Sequence, residues 1–567
     1  MRFIVTLVFI FGVIIGKAEV FPRYNMAGYP ASAPKHFIVM ADESLEAVVW
    51  KIINKDSKIE MEGVFGKNLS GKSAHTPKPF NYKIEFTQLK HEGKYKILIG
   101  ENENFTIEIK NNPYASLVPE MVSFLKKQRS GVATPPENAI SHTGDVKCRV
   151  YNRIGNVNTK WEPTKSEKYV DMMGGWYDAG DYLKFTLTTA YTTYFLLRAY
   201  ESYPVGEKYK EEKALLLDEA LWGLSFLMKT MPDDSTFIIQ VGNADDHKQG
   251  NRMPYRDLLN GKRNAYSAFS STQMGLTTAA LALGASIFSN SSLKIKPEPY
   301  QEKAMQIYKA ASKFGPPAWF EEGWEKFYAD DSREDNMELA AVELYRLTKS
   351  DRYLEDAKLY AFRAPSGYWS SWANINMVSH LRLFEFAPET VKMGLEQDLK
   401  LFKGIADQKG NIWGVPHAYT WATLYSFLGV GSASLAYSKV LGEAEAYEKV
   451  GTDVLHYTLG LNNWGTPFVI SRSIPGSVKN IYSQMYKLYP DDLTPLGAIA
   501  EGPGDRKTHD ELMQYFSIPP KNKFEEFNTP QVVFYDNDSD FQCMETTIAG
   551  MADGIYFFTL VNKLYSK

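Results

Sequence analysis

Two hydrophobic rhythms follow each other along the chain. Between about Phe21 and Asn112, short apolar or alternating runs (HFIVM, AVVWKII, KYKILIG, NFTIEI) are separated by polar turns such as NKDSK and KHEG. Tyr95, Ile97 and Ile99 share one face of their run, as Phe105, Ile107 and Ile109 do in the next, which is the two-residue repeat of half-buried strands. Several such strands in about 90 residues predict a β-sandwich of immunoglobulin type.

After NNPYASL the period lengthens to that of a helix. In EKALLLDEALWGLSFLMKTM, Leu217, Leu221, Leu224 and Met228 recur at helical spacing and predict a buried stripe. Further helices are predicted near 191–201, 271–289, 301–314, 336–348, 353–362, 370–386, 391–404, 417–441 and 443–459. A last one is predicted from Glu545 to Leu564, with Ile548, Met551, Ile555 and Phe558 on its stripe. About a dozen helices after a β prologue predict an all-α toroid. The connections 231–270 and 460–535 are long, and loops of that length usually carry function.

The extreme N-terminus reads MRFIVTLVFIFGVIIGKAEV: Arg2, an apolar run from Phe3 to Ile15, then Gly16 and Ala18, which suit signal peptidase. The run is too short to span a bilayer comfortably, so a signal peptide over 1–18 and a secreted or periplasmic product are expected, with no membrane partner after cleavage. The expected division is therefore 1–18 signal peptide, 19–112 sandwich and 113–567 helical domain. Cys148 and Cys543 could form one bridge in an exported protein or stay as two buried thiols, and the sequence leaves both open.

A net charge of −4 argues against nucleic acid as a partner. Aromatic content changes the picture more: 35 Tyr and 11 Trp offer flat faces of the kind on which sugar rings stack, although a large core also consumes aromatics.

Two acidic clusters stand out. In GGWYDAGDYLKF (174–185), Gly174, Gly175 and Gly180 permit a tight turn that brings Asp178 and Asp181 to one side. A cap for a helix beginning near Thr186 needs only one of them. A hard cation wants more oxygen ligands than the following YLKFTLTT supplies, whereas a water held between two carboxylates fits the pair. In DNDSDFQCMETTIAG (536–550), Asp536, Asp538 and Asp540 begin like a calcium loop, but its sixth position is Phe541 and its twelfth Thr547, so that reading fails. Ser539 or Asp540 is expected to cap the last helix. Glu545, just inside it, is left as a candidate general acid that needs desolvation to outweigh the helix N-terminus.

Other stretches join these in a fixed order: RYNMAGYPASAPKHFIV, FLKKQRSG, FIIQVGNADDH, DNMELAAVELYRLTKSDRYL, HYTLGLNNWGTPFV and PLGAIAEGPGD. The series resembles glycoside hydrolase family 9, the inverting cellulase family with an (α/α)6 barrel, in the subgroup carrying an N-terminal immunoglobulin-like domain. The resemblance implies a β-1,4-glucan or its oligosaccharides as partner, with exo-acting β-glucosidases and glucosaminidases of the family kept open. It makes Asp181 the general base, Asp178 its partner in holding water, and Glu545 the general acid, with the carboxyl groups about 6.5–9.5 Å apart. Trp176 and Tyr177 become candidates for sugar contact or turn packing. Asp246 and His247 of VGNADDH, and Asn462 and Trp464 of GLNNWG, are weaker contact candidates. No cofactor is required; a structural calcium ion is compatible with the family, and a monomer is expected.

The chain departs from the family pattern in three places. Tyr182 stands where many relatives have His. Ser130, Cys148 and Arg149 stand where the subgroup often has zinc-binding Cys, Cys and His, so zinc is not expected, and His142 does not restore a site. The late loop lacks the family's Pro-His-His-Arg-like stretch; SRSIPGSVKNIYSQMYKLYPDDLTPLG contains no His, leaving Arg472, Lys479 or Tyr482 as donors. Two rival readings remain. DDSRED (Asp330, Asp331, Glu334) loosely resembles the magnesium motif of terpene cyclases but reads more simply as a helix start. A non-catalytic glycan-binding protein on the same fold would keep the cleft without the chemistry.

Overall fold

The computed structural model describes residues 19–100, 102–154, 160–259, 263–289, 293–313, 328, 332–364, 367, 369–488 and 495–565. The expected signal peptide and the aspartates Asp330 and Asp331 lie outside the described residues.

Seven strands build the N-terminal part: β1 (Val20–Arg23), β2 (His36–Ala41), β3 (Val49–Ile53), β4 (Ile59–Val64), β5 (Phe80–Glu85), β6 (Gly93–Ile99) and β7 (Asn102–Ile109). They form two antiparallel sheets, in the orders β1-β2-β5 and β4-β3-β6-β7. Ile52, Tyr95, Ile97, Phe105 and Ile107 from one sheet and Phe37, Val39, Tyr82 and Ile84 from the other fill the space between them. Strand β2 explains why HFIVM is apolar throughout rather than alternating. Phe37, Val39 and Ala41 face the sandwich, while Ile38 and Met40 join the core of the helical domain. Arg23 and Met26 tie the two parts together through the main-chain oxygens of Asn463 (2.7 Å) and Leu459 (2.8 Å).

The helical part opens with α1 (Leu117–Lys127), α2 (Thr186–Ser202), α3 (Lys210–Leu227) and a single turn, α4 (Ala244–His247). There follow α5 (Ser271–Ser289), α6 (Glu298–Ala311), α7 (Glu334–Thr348), α8 (Asp351–Arg363), α9 (Asn376–Leu383) and α10 (Pro388–Ala406). The chain ends with α11 (Thr423–Leu435), α12 (Glu448–Thr458), α13 (Arg506–Leu512), α14 (Phe541–Met544) and α15 (Ile548–Tyr565). Packing sorts twelve of them into an (α/α)6 barrel. The inner ring runs α2, α5, α7, α9, α11, α15 and closes back on α2; the outer partners are, in the same order, α3, α6, α8, α10, α12 and α1. Inner helices are buried on nearly every side, so α5 (STQMGLTTAALALGASIFS) has small and apolar residues all round rather than a stripe.

On α3 the predicted stripe is shifted. The buried face is Leu216, Leu217, Ala220, Gly223, Leu224 and Leu227, while Leu221 and Met228 are half-buried. A buried charge decides the rotation: Glu219 faces inward because Arg129 and the Trp176 indole satisfy it. The connection 231–270 is not a plain loop. Ile238–Val241 and Asn264–Ser267 pair with each other and extend a sheet that includes Cys148–Ile154 and Lys184–Phe185. Cys148 and Cys543 are separate, buried thiols.

Candidate active site

The Gly-hinged turn is anchored from below and from both sides. Lys184, buried, donates to the carbonyls of Met172 (2.6 Å) and Gly174 (3.0 Å) and pairs with Asp145 at 2.7 Å. Gly175 has φ +71, and a Cβ there would lie 2.8 Å from the Phe226 ring, so both backbone and space demand glycine. The Asp178 N–H donates to the Leu183 carbonyl (2.9 Å), which closes the turn. The Asp178 carbonyl accepts from the Ile548 N–H (2.8 Å), and so ties the turn to the start of α15.

Neither aspartate caps a helix: Phe185 holds the cap position of α2 without a side-chain bond. Asp178 is buried and accepts from the hydroxyls of Thr188 and Tyr328. Burial pushes its carboxyl up to about 7; the two hydroxyl donors pull it down, and the Asp181 charge adds to the rise. Asp181 accepts from the Leu183 N–H at 3.1 Å, a local bond that aims the side chain back over the turn.

Glu545 does not sit inside the last helix. Asp540 caps the single turn α14, accepting from the Cys543 N–H (3.1 Å) and from His509 (3.0 Å). The chain then leaves the helix at Glu545 in extended form (φ −70, ψ 141) and re-enters at Ile548. Bridges from distant segments hold the break. The Tyr482 N–H donates to the Met544 carbonyl (2.9 Å), while the Glu501 N–H and the Tyr425 hydroxyl donate to the Glu545 carbonyl (3.2 Å each). The Glu545 carboxylate in turn accepts from the Gly180 N–H at 3.0 Å.

Asp178, Asp181 and Glu545 face one cleft, whose walls include Phe185, Tyr328, Trp369, Trp372, Trp421 and Tyr425. Trp372 packs edge-on to Tyr328 (4.8 Å between centroids) and to Trp369 (5.7 Å). A fourth carboxylate, Glu501, lines the same cleft, and its described lining holds no Lys, Arg or His. Sequence reasoning missed Glu501 and the three tryptophans. Glu501 was in view within PLGAIAEGPGD, but the acids it meets in the cleft are far from it in sequence. Trp369 and Trp372 lie on the connection between α8 and α9 and Trp421 on that between α10 and α11, and only barrel closure brings the two connections together.

The remaining contact candidates are corrected by their surroundings. The Trp176 indole is fully buried and donates to Glu219 at 2.7 Å. Tyr177 is buried, with its hydroxyl on Ser141 (2.7 Å) and His142 (2.6 Å). Asp246 is buried between Arg252 (2.9 Å) and Arg263 (3.1 Å), its carboxyl pushed up to about 6 first of all by burial. Asn462 donates to the carbonyls of Tyr457 and Thr466 (2.8 Å each), and the Trp464 indole donates to Asn528 (2.8 Å). Each of these polar groups is satisfied inside the protein, so they brace turns and loops and do not line the cleft. His247 ends α4, and its side chain lies outside the described residues. Of the late-loop donors, Arg472 and Lys479 are exposed, whereas Tyr482 packs beside Gly180 and bridges to Glu545.

Two clusters among the described residues have metal-type ligands, His142–Asp246–Asp257 and His509–Asp540–Cys543. In the first, the guanidinium groups of Arg252 and Arg263 already neutralise the carboxylates. In the second, Asp540 is already engaged in capping α14 and in the bond to His509 (3.0 Å), and burial pushes the Cys543 thiol well up. The Cys148 thiol lies on the Asp145 carbonyl at 3.5 Å.

Known proteins share this fold. Endoglucanase A of Bacillus pumilus is 23% identical over 447 residues, 72% of this chain and 64% of the relative. Endoglucanase 4 of Bacillus sp. (strain KSM-522) is 25% identical over 382 residues, 63% and 57%. The matched part of this chain thus spans about three fifths of these relatives' length. Among solved structures, a single mutant of a thermostable endoglucanase from Alicyclobacillus acidocaldarius superimposes with a TM-score of 0.74 at 17% identity, over 95% of this chain and 99% of that one. A metagenome-derived glycoside hydrolase family 9 endoglucanase gives 0.74 at 20%, over 96% and 99%. The sequence model of glycosyl hydrolase family 9 matches residues 114–557, from the start of the helical part to within the last helix, and this chain belongs to that family.

Proposed function

We propose that this chain is a secreted, monomeric hydrolase that cleaves β-1,4-glucosidic bonds in cellulose-type glucans or their oligosaccharides, with inversion and in the manner of an endoglucanase. One observation carries the reading: Asp178 and Asp181 on the hinged turn and Glu545 after α14 open onto the same aromatic-walled cleft. Asp181 takes a proton from a water that Asp178 helps to hold. That water attacks the anomeric carbon while Glu545 protonates the departing glycosidic oxygen. Trp369, Trp372 and Trp421 offer faces for successive sugar rings.

The test is reducing-end release from carboxymethyl-cellulose and cellohexaose by the wild type, Asp181→Ala and Glu545→Gln. Activity in the wild type with loss in both variants supports the reading, and full turnover by both variants defeats it. A second reading, an exo-acting glucosidase or glucosaminidase, draws on the surplus of carboxylates in the described cleft lining, which suits an ammonium-bearing sugar. Product sizes from cellohexaose and from glucosamine oligomers separate the two.

A further inference from the structure

Glu501 is a buried acid that the mechanism above does not use. The Trp421 indole hydrogen-bonds its carboxylate, and among the described residues Oε2 has no hydrogen-bond partner. Its main chain is pinned to that of the general acid. Glu501 N–H donates to Glu545 O (3.2 Å), Gly502 N–H to Cys543 O (3.1 Å), and Leu424 N–H to Glu501 O (3.0 Å). Both side chains then open onto the same cleft.

A difficulty at Glu545 gives this neighbour a task. The Gly180 N–H bond to Glu545 Oε1 favours the ionised carboxylate, whereas a general acid must arrive protonated. The ionisable groups that act most on Glu501 include Glu545, Asp540 and Asp178, all acids, and Glu501 in turn acts on the Tyr328 and Tyr425 hydroxyls. Two carboxyl groups whose main chains are joined and whose side chains line one aromatic cleft raise each other's proton affinity, so the pair holds a proton to higher pH than either alone.

We propose that Glu501 is a positioning residue whose neighbouring carboxyl disfavours full ionisation of the pair and thereby keeps a proton available to Glu545, the general acid. The inference rests on the hydrolase reading above. In the turnover, that proton passes from Glu545 to the glycosidic oxygen as the C–O bond breaks. Water supplies hydroxyl to the anomeric carbon and its proton to Asp181, and solvent returns that proton to the pair. Consistently, burial and the Glu545 charge hold the Glu501 carboxyl well above the usual carboxylate range.

The test is the pH profile of kcat/KM on cellohexaose for the wild type, Glu501→Gln and Glu501→Asp, with thermal melts to check folding. Glu501→Gln is expected to move the alkaline limb down by about one unit or more, with KM changed less than twofold, and Glu501→Asp to restore much of the limb. An alkaline limb unmoved in a folded Glu501→Gln variant overturns the proposal. A readout independent of activity is infrared titration of 13C-carboxyl-labelled glutamate in wild type, Glu501→Gln and Glu545→Gln. The proposal requires the carboxyl left in either single variant to titrate lower than the upper step of the pair, and equal midpoints refute it. A wild type inactive on every β-1,4-glucan would sink the hydrolase reading and leave this titration to judge the pair.

Discussion

Gly180 and Glu545 meet at a distance that leaves no room for a side chain between them. The Gly180 N–H donates to Glu545 Oε1 at 3.0 Å, and a Cβ built on Gly180 would lie 2.9 Å from the same oxygen and 2.9 Å from the Tyr482 ring. The glycine of the DAGD turn thus serves the acid across the cleft as much as the turn itself. Gly180→Ala must displace the carboxylate or the turn, and misplacement of about 1 Å at a reacting group costs on the order of 100-fold in rate. We expect kcat on cellohexaose to fall by that order with an intact thermal melt; near-normal kcat would show that the contact is not required.

Asp178 binds its proton more tightly in the folded chain, at about 7, than the ordinary 3.8. Its favourable contribution is therefore complete below about pH 4 and is lost as pH rises towards 7, above which a buried carboxylate is a cost. Asp178→Asn should raise stability at pH 8 by on the order of 2–4 kcal/mol, change it little at pH 4, and abolish turnover. Denaturant melts at both pH values check this, and equal effects at the two would contradict it.

Tyr328 donates to Asp178 and so holds its proton affinity down. Removing that donor in Tyr328→Phe should raise the affinity further and move the acidic limb of kcat/KM to higher pH, a shift read from the pH–rate profile. An unmoved or lowered limb would break the link.

Arg263 lies fully buried between Asp145 (2.8 Å) and Asp246 (3.1 Å). Arg263→Met leaves two buried carboxylates short of a partner and should cost about 3–5 kcal/mol in a denaturant melt. Asp246→Asn should also destabilise, yet leave KM for cellohexaose within twofold, because Asp246 braces the loop below the turn and does not line the cleft. A large rise in KM without loss of stability would restore it as a sugar contact.

The parts of this molecule that were legible in the sequence are those fixed by neighbours along the chain. The alternation at Tyr95–Ile99, the fully helical run 271–289 and the paired acids of the Gly-hinged turn depend on residues within a few positions. What was misread or left open depends on partners far away. Trp176 beside the base was open to sugar contact or turn packing, and the bond of its indole N–H to Glu219, 43 residues on, is what a packing role predicts. Glu545 looked helical because Ile548, Met551 and Ile555 keep the stripe. The break at 545–547 is imposed by Tyr482, Glu501 and Tyr425, none within 40 residues. Glu501 itself was invisible as a functional group, since its acid neighbours are supplied by the turn and by the segment after α14.

The account stands or falls on water entering from the Asp178–Asp181 side while Glu545 releases the leaving group. The most direct measurement is proton NMR of cellohexaose cleavage in its first minutes, before mutarotation. Initial products with a new reducing end in the α configuration are predicted; an initial β product would contradict the single-displacement arrangement.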